Sequence, residues 1–94
     1  MRIDLSQDFL EESTEKLRAI AHPVRLAIIE LLFHKKEMTV TELFEALDIE
    51  QAATSHHLRL MKDQKIVKVK RDGKNSIYFL ANEKYRDIIE VLKA

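Results

Sequence analysis

Gln51, Ala52, Ser55, His56 and Arg59 recur at spacings that share one face of a helix. An amide, a methyl, a hydroxyl, an imidazole and a guanidinium make a surface of small and hydrogen-bonding groups. Such a surface suits the base edges of a DNA major groove, where each base pair shows its own pattern of donors and acceptors. A second set lies further on. Lys70, Arg71, Lys74 and Asn75 surround Gly73, the only glycine of the chain. Cations on a turn suit phosphates or a minor groove. The plainer alternative for both sets is a solvated helix face and a structural hairpin with solvated lysines.

Other chemistry is harder to build from this chain. Ser55 followed by His56 and His57 suggests a nucleophile and a base. Neighbours on a helix point in different directions, however, and no orienting acid or Gly-rich loop lies nearby, so no enzyme is expected. Zero Cys removes disulfides, thiolate metal sites and thiol redox sensing together. The four histidines, His22, His34, His56 and His57, match no metal-sensor spacing. Glu83, Asp87 and Glu90 would hold a hard cation only weakly and read more simply as a solvated face. No metal and no cofactor are expected, and the effector is unknown.

The first set needs a helix of about residues 51–63, and the opposite face supplies it. Thr54, Leu58 and Met61 form an inward stripe at spacings of four and three. A shorter helix runs from Thr39 to about Leu47. Thr39 and Glu42 form a capping box, flanked by Met38 and Leu43 as a hydrophobic staple. Asp48-Ile49-Glu50 is the tight turn between the two. This is the design of a DNA-reading helix-turn-helix. After Lys62-Asp63-Gln64-Lys65 closes the second helix, Ile66, Val67 and Val69 begin an extended run. Arg71 to Asn75 turns, and Ser76 to Leu80 returns. A basic hairpin of about residues 66–80, directly after a reading helix, makes a wing.

The remaining stretches are helical. Over about residues 7–20, Phe9, Leu10, Leu17 and Ile20 lie near one face, and Asp8, Glu11, Glu12 and Glu15 load the early turns. Pro23 suits the first position of a second helix, to about residue 34, whose dense apolar positions (Val24, Leu26, Ile28, Ile29, Leu31, Leu32) mark a core element. His22 falls near its N-cap, where Asp or Asn would cap better. His34-Lys35-Lys36 complements the dipole at its end. Asn82 caps a last helix of about residues 83–93, on which Tyr85, Ile88, Ile89 and Leu92 form one stripe. Nothing downstream is expected to cover that stripe. It is expected to pack on the first helix, on a second subunit, or on both. A homodimer through the terminal helices is preferred, using Phe9, Leu10 and Leu17 with the stripe.

Ninety-four residues, 46% hydrophobic and 34% charged, make one domain, residues 1–94, of soluble globular composition. Its core is thin, which favours a partner subunit. No run is long enough to span a bilayer and no signal segment follows Met1, so a cytoplasmic location without membrane attachment is expected. Net charge is zero but unevenly spread. Residues 1–55 hold eleven acids and six bases, whereas residues 56–74 hold seven bases and two acids. The positive excess lies where a phosphate backbone would meet the reading helix and wing.

The order helix, helix, helix-turn-helix, wing, helix resembles the bacterial arsenic-repressor (ArsR/SmtB) family of winged-helix repressors. The match is carried by LRAIAHPVRLAIIELL (17–32), SHHLRLM (55–61) and VKVKRDGKNSIYFL (67–80). The resemblance implies a mainly α fold with a small β-hairpin. It also implies a homodimer that binds imperfect inverted repeats in double-stranded DNA and leaves when an effector binds. Through the SHHL segment it puts base reading on Gln51, Ala52, Ser55 and His56, and it implies backbone or minor-groove contact by the wing tip, Arg71 to Asn75. Metal sensors of the family carry Cys-x-Cys where Thr39 and Thr41 stand, or Asp and His on the last helix, which here has no His. The usual N-cap Ser of the reading helix is Glu50, a group that would repel phosphate. A winged-helix module that binds protein instead of DNA is the competing reading.

Overall fold

The computed structural model describes residues 2–94. Its elements are α1 (Gln7–Ile20), α2 (Pro23–Lys35), β1 (Met38–Thr39), α3 (Val40–Leu47), α4 (Gln51–Asp63), β2 (Val67–Asp72), β3 (Asn75–Leu80) and α5 (Arg86–Leu92), with a 3-10 turn at Glu83–Tyr85 before α5. The expected winged helix-turn-helix order is present.

Side chains supply acceptors for the orphan amides at most helix starts. Ser6 Oγ accepts from Phe9 N–H at 3.4 Å. At α3 both halves of the capping box are made. Thr39 Oγ1 accepts from Glu42 N–H at 3.1 Å, and Thr39 N–H donates to Glu42 Oε1 at 2.9 Å. Met38 and Leu43, the expected staple, are both buried in the core. His22 does more than the sequence suggested: its Nδ1 accepts from Val24 N–H at 3.0 Å and caps α2.

Helix ends are built by left-handed residues other than glycine. Asp48 closes α3 with φ 54° and ψ 48° and so makes the helix-turn-helix corner, a conformation Asp tolerates better than most residues. Lys65 takes φ 60° after α4. Ile66 N–H then reaches Met61 C=O at 2.8 Å and Lys65 N–H reaches Lys62 C=O at 2.9 Å. These are the paired bonds of a Schellman ending, and its hydrophobic contact is supplied by buried Met61 and Ile66.

Two elements differ from the sequence expectation. The hairpin belongs to a three-stranded antiparallel sheet in the order β1-β3-β2, because Met38 pairs with Tyr78 and Thr39 with Ile77. The last helix of about residues 83–93 is split into a 3-10 turn capped by Asn82 (Oδ1 to Lys84 N–H, 2.9 Å) and a seven-residue α5. The stripe on it is also covered more than expected. Tyr85, Ile88 and Ile89 are half-buried against the core, with α5 packed on α2. Arg86 ties the two helices by donating from Nε to Glu30 Oε1 at 3.1 Å.

The core gathers Ile28, Ile29 and Leu32 of α2, Leu43 of α3, Leu58 and Met61 of α4, and Ile66, Val67 and Leu80 at the sheet. Of α1, only Ala19 and Ile20 are buried. Lys16 adds a tether, donating from Nζ to Gln64 C=O at the end of α4 at 2.8 Å.

Candidate nucleic-acid interface

The inward stripe of α4 fixes what its other face can do. Thr54, Leu58 and Met61 are fully buried. Thr54 keeps its hydroxyl satisfied by donating to Glu50 C=O at 3.1 Å, so burial leaves no orphan group. With that face anchored, Gln51, Ala52, Ser55, His56 and Arg59 are all exposed. Arg59 Nη2 donates to His56 Nδ1 at 3.0 Å. A guanidinium has no acceptor, so this contact leaves the Nε2 of neutral His56 carrying the proton, an outward donor suited to a purine N7 or a guanine O6.

The wing is a tight hairpin whose facing pairs run from Val67↔Leu80 to Asp72↔Asn75. Gly73 at φ +62° opens the two-residue loop, where a positive φ is required and glycine is unstrained. Beyond Val67 every residue of β2 is exposed, so the basic strand projects from the body. Gln51, Ser55, Lys74 and Asn75 come together around one cleft of about 230 Å³, with Thr39 and Thr41 at the start of α3. Two other cations of the wing are engaged within the protein. Lys70 pairs with Glu37, and Arg71 donates from Nη1 to Ser76 Oγ at 3.0 Å.

A contact that sequence reasoning missed lies on the inner flank of α4. Arg25 of α2 donates from Nε to His57 Nδ1 at 3.1 Å and from Nη1 to Arg18 C=O at 3.3 Å. The His22 and His57 rings lie 4.5 Å apart. Burial, then the charges of His22, Arg25 and His56, hold the His57 imidazole below its ordinary value of 6.5. A partner 32 residues away leaves no periodic signal in the sequence.

Most of the residues at the positions that the resemblance links to metal sensing are engaged within the protein. Thr39 Oγ1 is occupied as a cap, and hydroxyls suit soft metals poorly. Glu83 pairs with Lys36 at 3.1 Å and Glu90 with Arg86. Among the described residues, no three His, Cys, Asp or Glu side chains are placed so that they could hold a metal ion. No helix among them is long and apolar enough to cross a membrane.

The residues expected to face a partner subunit form two groups. Phe9, Leu10, Leu17 and Leu92 are 48%, 45%, 58% and 65% exposed. Tyr85, Ile88 and Ile89 serve the core as well. Leu17, Ile20, Pro23, Leu26, Ile88 and Leu92 border one open apolar groove between the end of α1, the start of α2 and α5.

The family described as bacterial regulatory proteins, arsR family, matches residues 22–69, from the cap of α2 through α4 into β2. The transcriptional repressor PagR of Bacillus anthracis is 36% identical over 83 residues, covering 88% of this chain and 83% of its own. The PagR crystal structure matches with a TM-score of 0.81 at 33% identity, over 93% of this chain and 99% of that one. A transcriptional repressor SmtB homolog of Synechocystis is 32% identical over 93 residues, 95% of this chain and 70% of its own. A homodimeric winged helix-turn-helix DNA-binding domain of Mycobacterium bovis shares the fold, with a TM-score of 0.85 at 23% identity over 99% of this chain and 88% of that one. The matched stretch holds the capped α2, the helix-turn-helix and the exposed face of α4, and the likeness to PagR extends through the wing to most of the chain. On both grounds the chain belongs to the arsR family of bacterial regulatory proteins.

Proposed function

We propose that this chain is a homodimeric, sequence-specific DNA-binding repressor of transcription, acting in the cytoplasm without a metal or cofactor and without enzymatic activity. The observation that carries the reading is the outer face of α4, with five exposed small or hydrogen-bonding side chains over a fully buried underside. In this reading Gln51, Ala52, Ser55, His56 and Arg59 face the major groove. Lys74 and Asn75 meet the backbone beside them, and Lys70 and Arg71 lend positive potential from the wing strand. Two-fold pairing through α1 and α5 would place the two reading helices on one side of the duplex. The operator is then an imperfect inverted repeat with half-sites about one helical turn, or a multiple of it, apart. Selection of bound duplexes from random DNA, followed by a salt titration, tests this. A recovered inverted repeat with a steep salt dependence is expected.

A second reading is favoured by one residue. Glu50 occupies the N-cap of α4, is exposed and makes no side-chain cap bond, so a carboxylate stands where phosphate would approach. A winged-helix module that binds protein would tolerate this. Failure to retain any duplex at low salt would favour that module.

A further inference from the structure

We propose that Arg25 is a positioning residue for DNA reading: acting through His57, it sets how α4 presents its outer face, and it lets go when His57 takes a proton. This rests on the DNA-binding reading above. One guanidinium on α2 reaches both the end of α1, at Arg18 C=O, and the reading helix, at His57 Nδ1. His57 lies in sequence between outward His56 and buried Leu58, so holding it adds a polar tether to the apolar anchoring of α4 and trims how its outer face is presented. His22 caps α2 on one side and lies against the His57 ring on the other. It also borders the apolar groove assigned to the partner subunit. The cluster therefore joins the assembly surface to the reading face.

The chemistry of the contact makes it sensitive to protons. A guanidinium only donates, so the bond needs a lone pair on His57 Nδ1 and a neutral ring protonated at Nε2. Protonation would set an N–H against the Arg25 N–H and add a charge. The titratable and charged groups nearby are His22 and Arg25 on α2, Glu15 and Arg18 on α1, and His56 and Asp63 on α4. Glu15 is paired with Arg18 at 2.7 Å. Asp63 borders the same cleft as Arg25. Burial and the three neighbouring cationic or potentially cationic groups oppose protonation of His57.

Two measurements test this. Heteronuclear NMR of the imidazole nitrogens in the free protein should show His57 protonated at Nε2 and titrating below 6.5, its ordinary value. In Arg25→Gln its midpoint should move upward. Binding to the selected duplex and to a scrambled one should then be followed from about pH 8 to about pH 5.5, the range in which histidine changes charge. Near neutral pH, Arg25→Gln should lower affinity about tenfold on the selected duplex and less than about twofold on the scrambled one, within the range of ordinary coupling. The preference of the wild type should fall as His57 titrates. His57→Asn, whose amide oxygen stands in for Nδ1 and does not titrate, should keep the preference and flatten the profile. His56 is present in both proteins, so the difference between the two profiles belongs to His57. If Arg25→Gln fails to fold, the wild-type titration and the His57→Asn profile decide alone. A His57 that titrates at or above 6.5, or Arg25→Gln losses equal on both duplexes, overturns the proposal. A wild type that binds no duplex overturns the DNA reading instead, while the His57 titration still decides whether Arg25 holds that ring.

Discussion

The Lys70 ammonium is paired with the Glu37 carboxylate, so the basic strand of the wing is tied to the short loop between α2 and β1. Lys74, at the wing tip, has no ion-pair partner among the described residues. The two lysines should therefore contribute unequally to DNA binding. Lys74→Ala should weaken selected and scrambled duplexes about equally and lower the salt slope by about one for each phosphate no longer neutralised. Lys70→Ala should change the slope less, and Glu37→Gln, which releases Lys70, should steepen it. Anisotropy titrations over a range of salt decide this, and equal slopes for Lys70→Ala and Lys74→Ala would refute the division.

His56 should carry sequence information. Its Nδ1 is taken by Arg59, leaving Nε2–H to address a base. His56→Ala should cost on the order of 1–3 kcal/mol on the selected site and little on random DNA. Equal losses on both would remove His56 from the reading set.

Assembly is best probed at residues the monomer does not need. Ile88 and Ile89 are half-buried against the core, so Asp there would confuse unfolding with dissociation. Leu17 and Leu92 are 58% and 65% exposed. Leu17→Asp with Leu92→Asp should leave the helical signal intact and shift sedimentation from dimer to monomer. A wild type that sediments as a monomer at high concentration would end the dimer proposal.

Glu30 is the electrostatic joint between α2 and α5. Its carboxylate meets Arg86 Nε at 3.1 Å, His34 Nε2 at 2.6 Å and Lys93 Nζ at 3.9 Å. Burial pushes its pKa up, but Arg86, His34 and Lys93 together bring it below the ordinary 4.5. A depressed carboxylate contributes stability above its unfolded value and loses it as pH falls through the folded one. Glu30→Gln should cost on the order of 1 kcal/mol at neutral pH, the scale of a partly exposed pair. That difference should shrink below the ordinary value of 4.5. Urea melts at several pH values measure it, and a constant difference down to strong acid would contradict the assignment.

DNA affinity should be indifferent to soft metals. Zinc or cadmium should change it by less than about threefold, below the usual range of allosteric coupling. A tight stoichiometric zinc isotherm accompanied by DNA release would reverse this conclusion.

The helix boundaries were legible because local rules write them. Thr39 with Glu42, Pro23 after a break, and the Thr54-Leu58-Met61 stripe each act within a few residues, and each is found where those rules place it. The outward face of α4 was legible for the same reason: once one side of a helix is apolar, geometry assigns the other. Pairings between distant segments left no such trace. Met38 and Thr39 become a strand only because β3 is brought beside them. The Tyr85-Ile88-Ile89 stripe is partly covered because α5 docks on α2. Lys70 is engaged because Glu37 lies across from it, and His57 becomes a neutral acceptor because Arg25 reaches it from another helix. Local hydrogen bonding and periodicity determined what each segment is, whereas which charges remain available to a partner was decided only when packing brought residues remote in sequence within reach of one another.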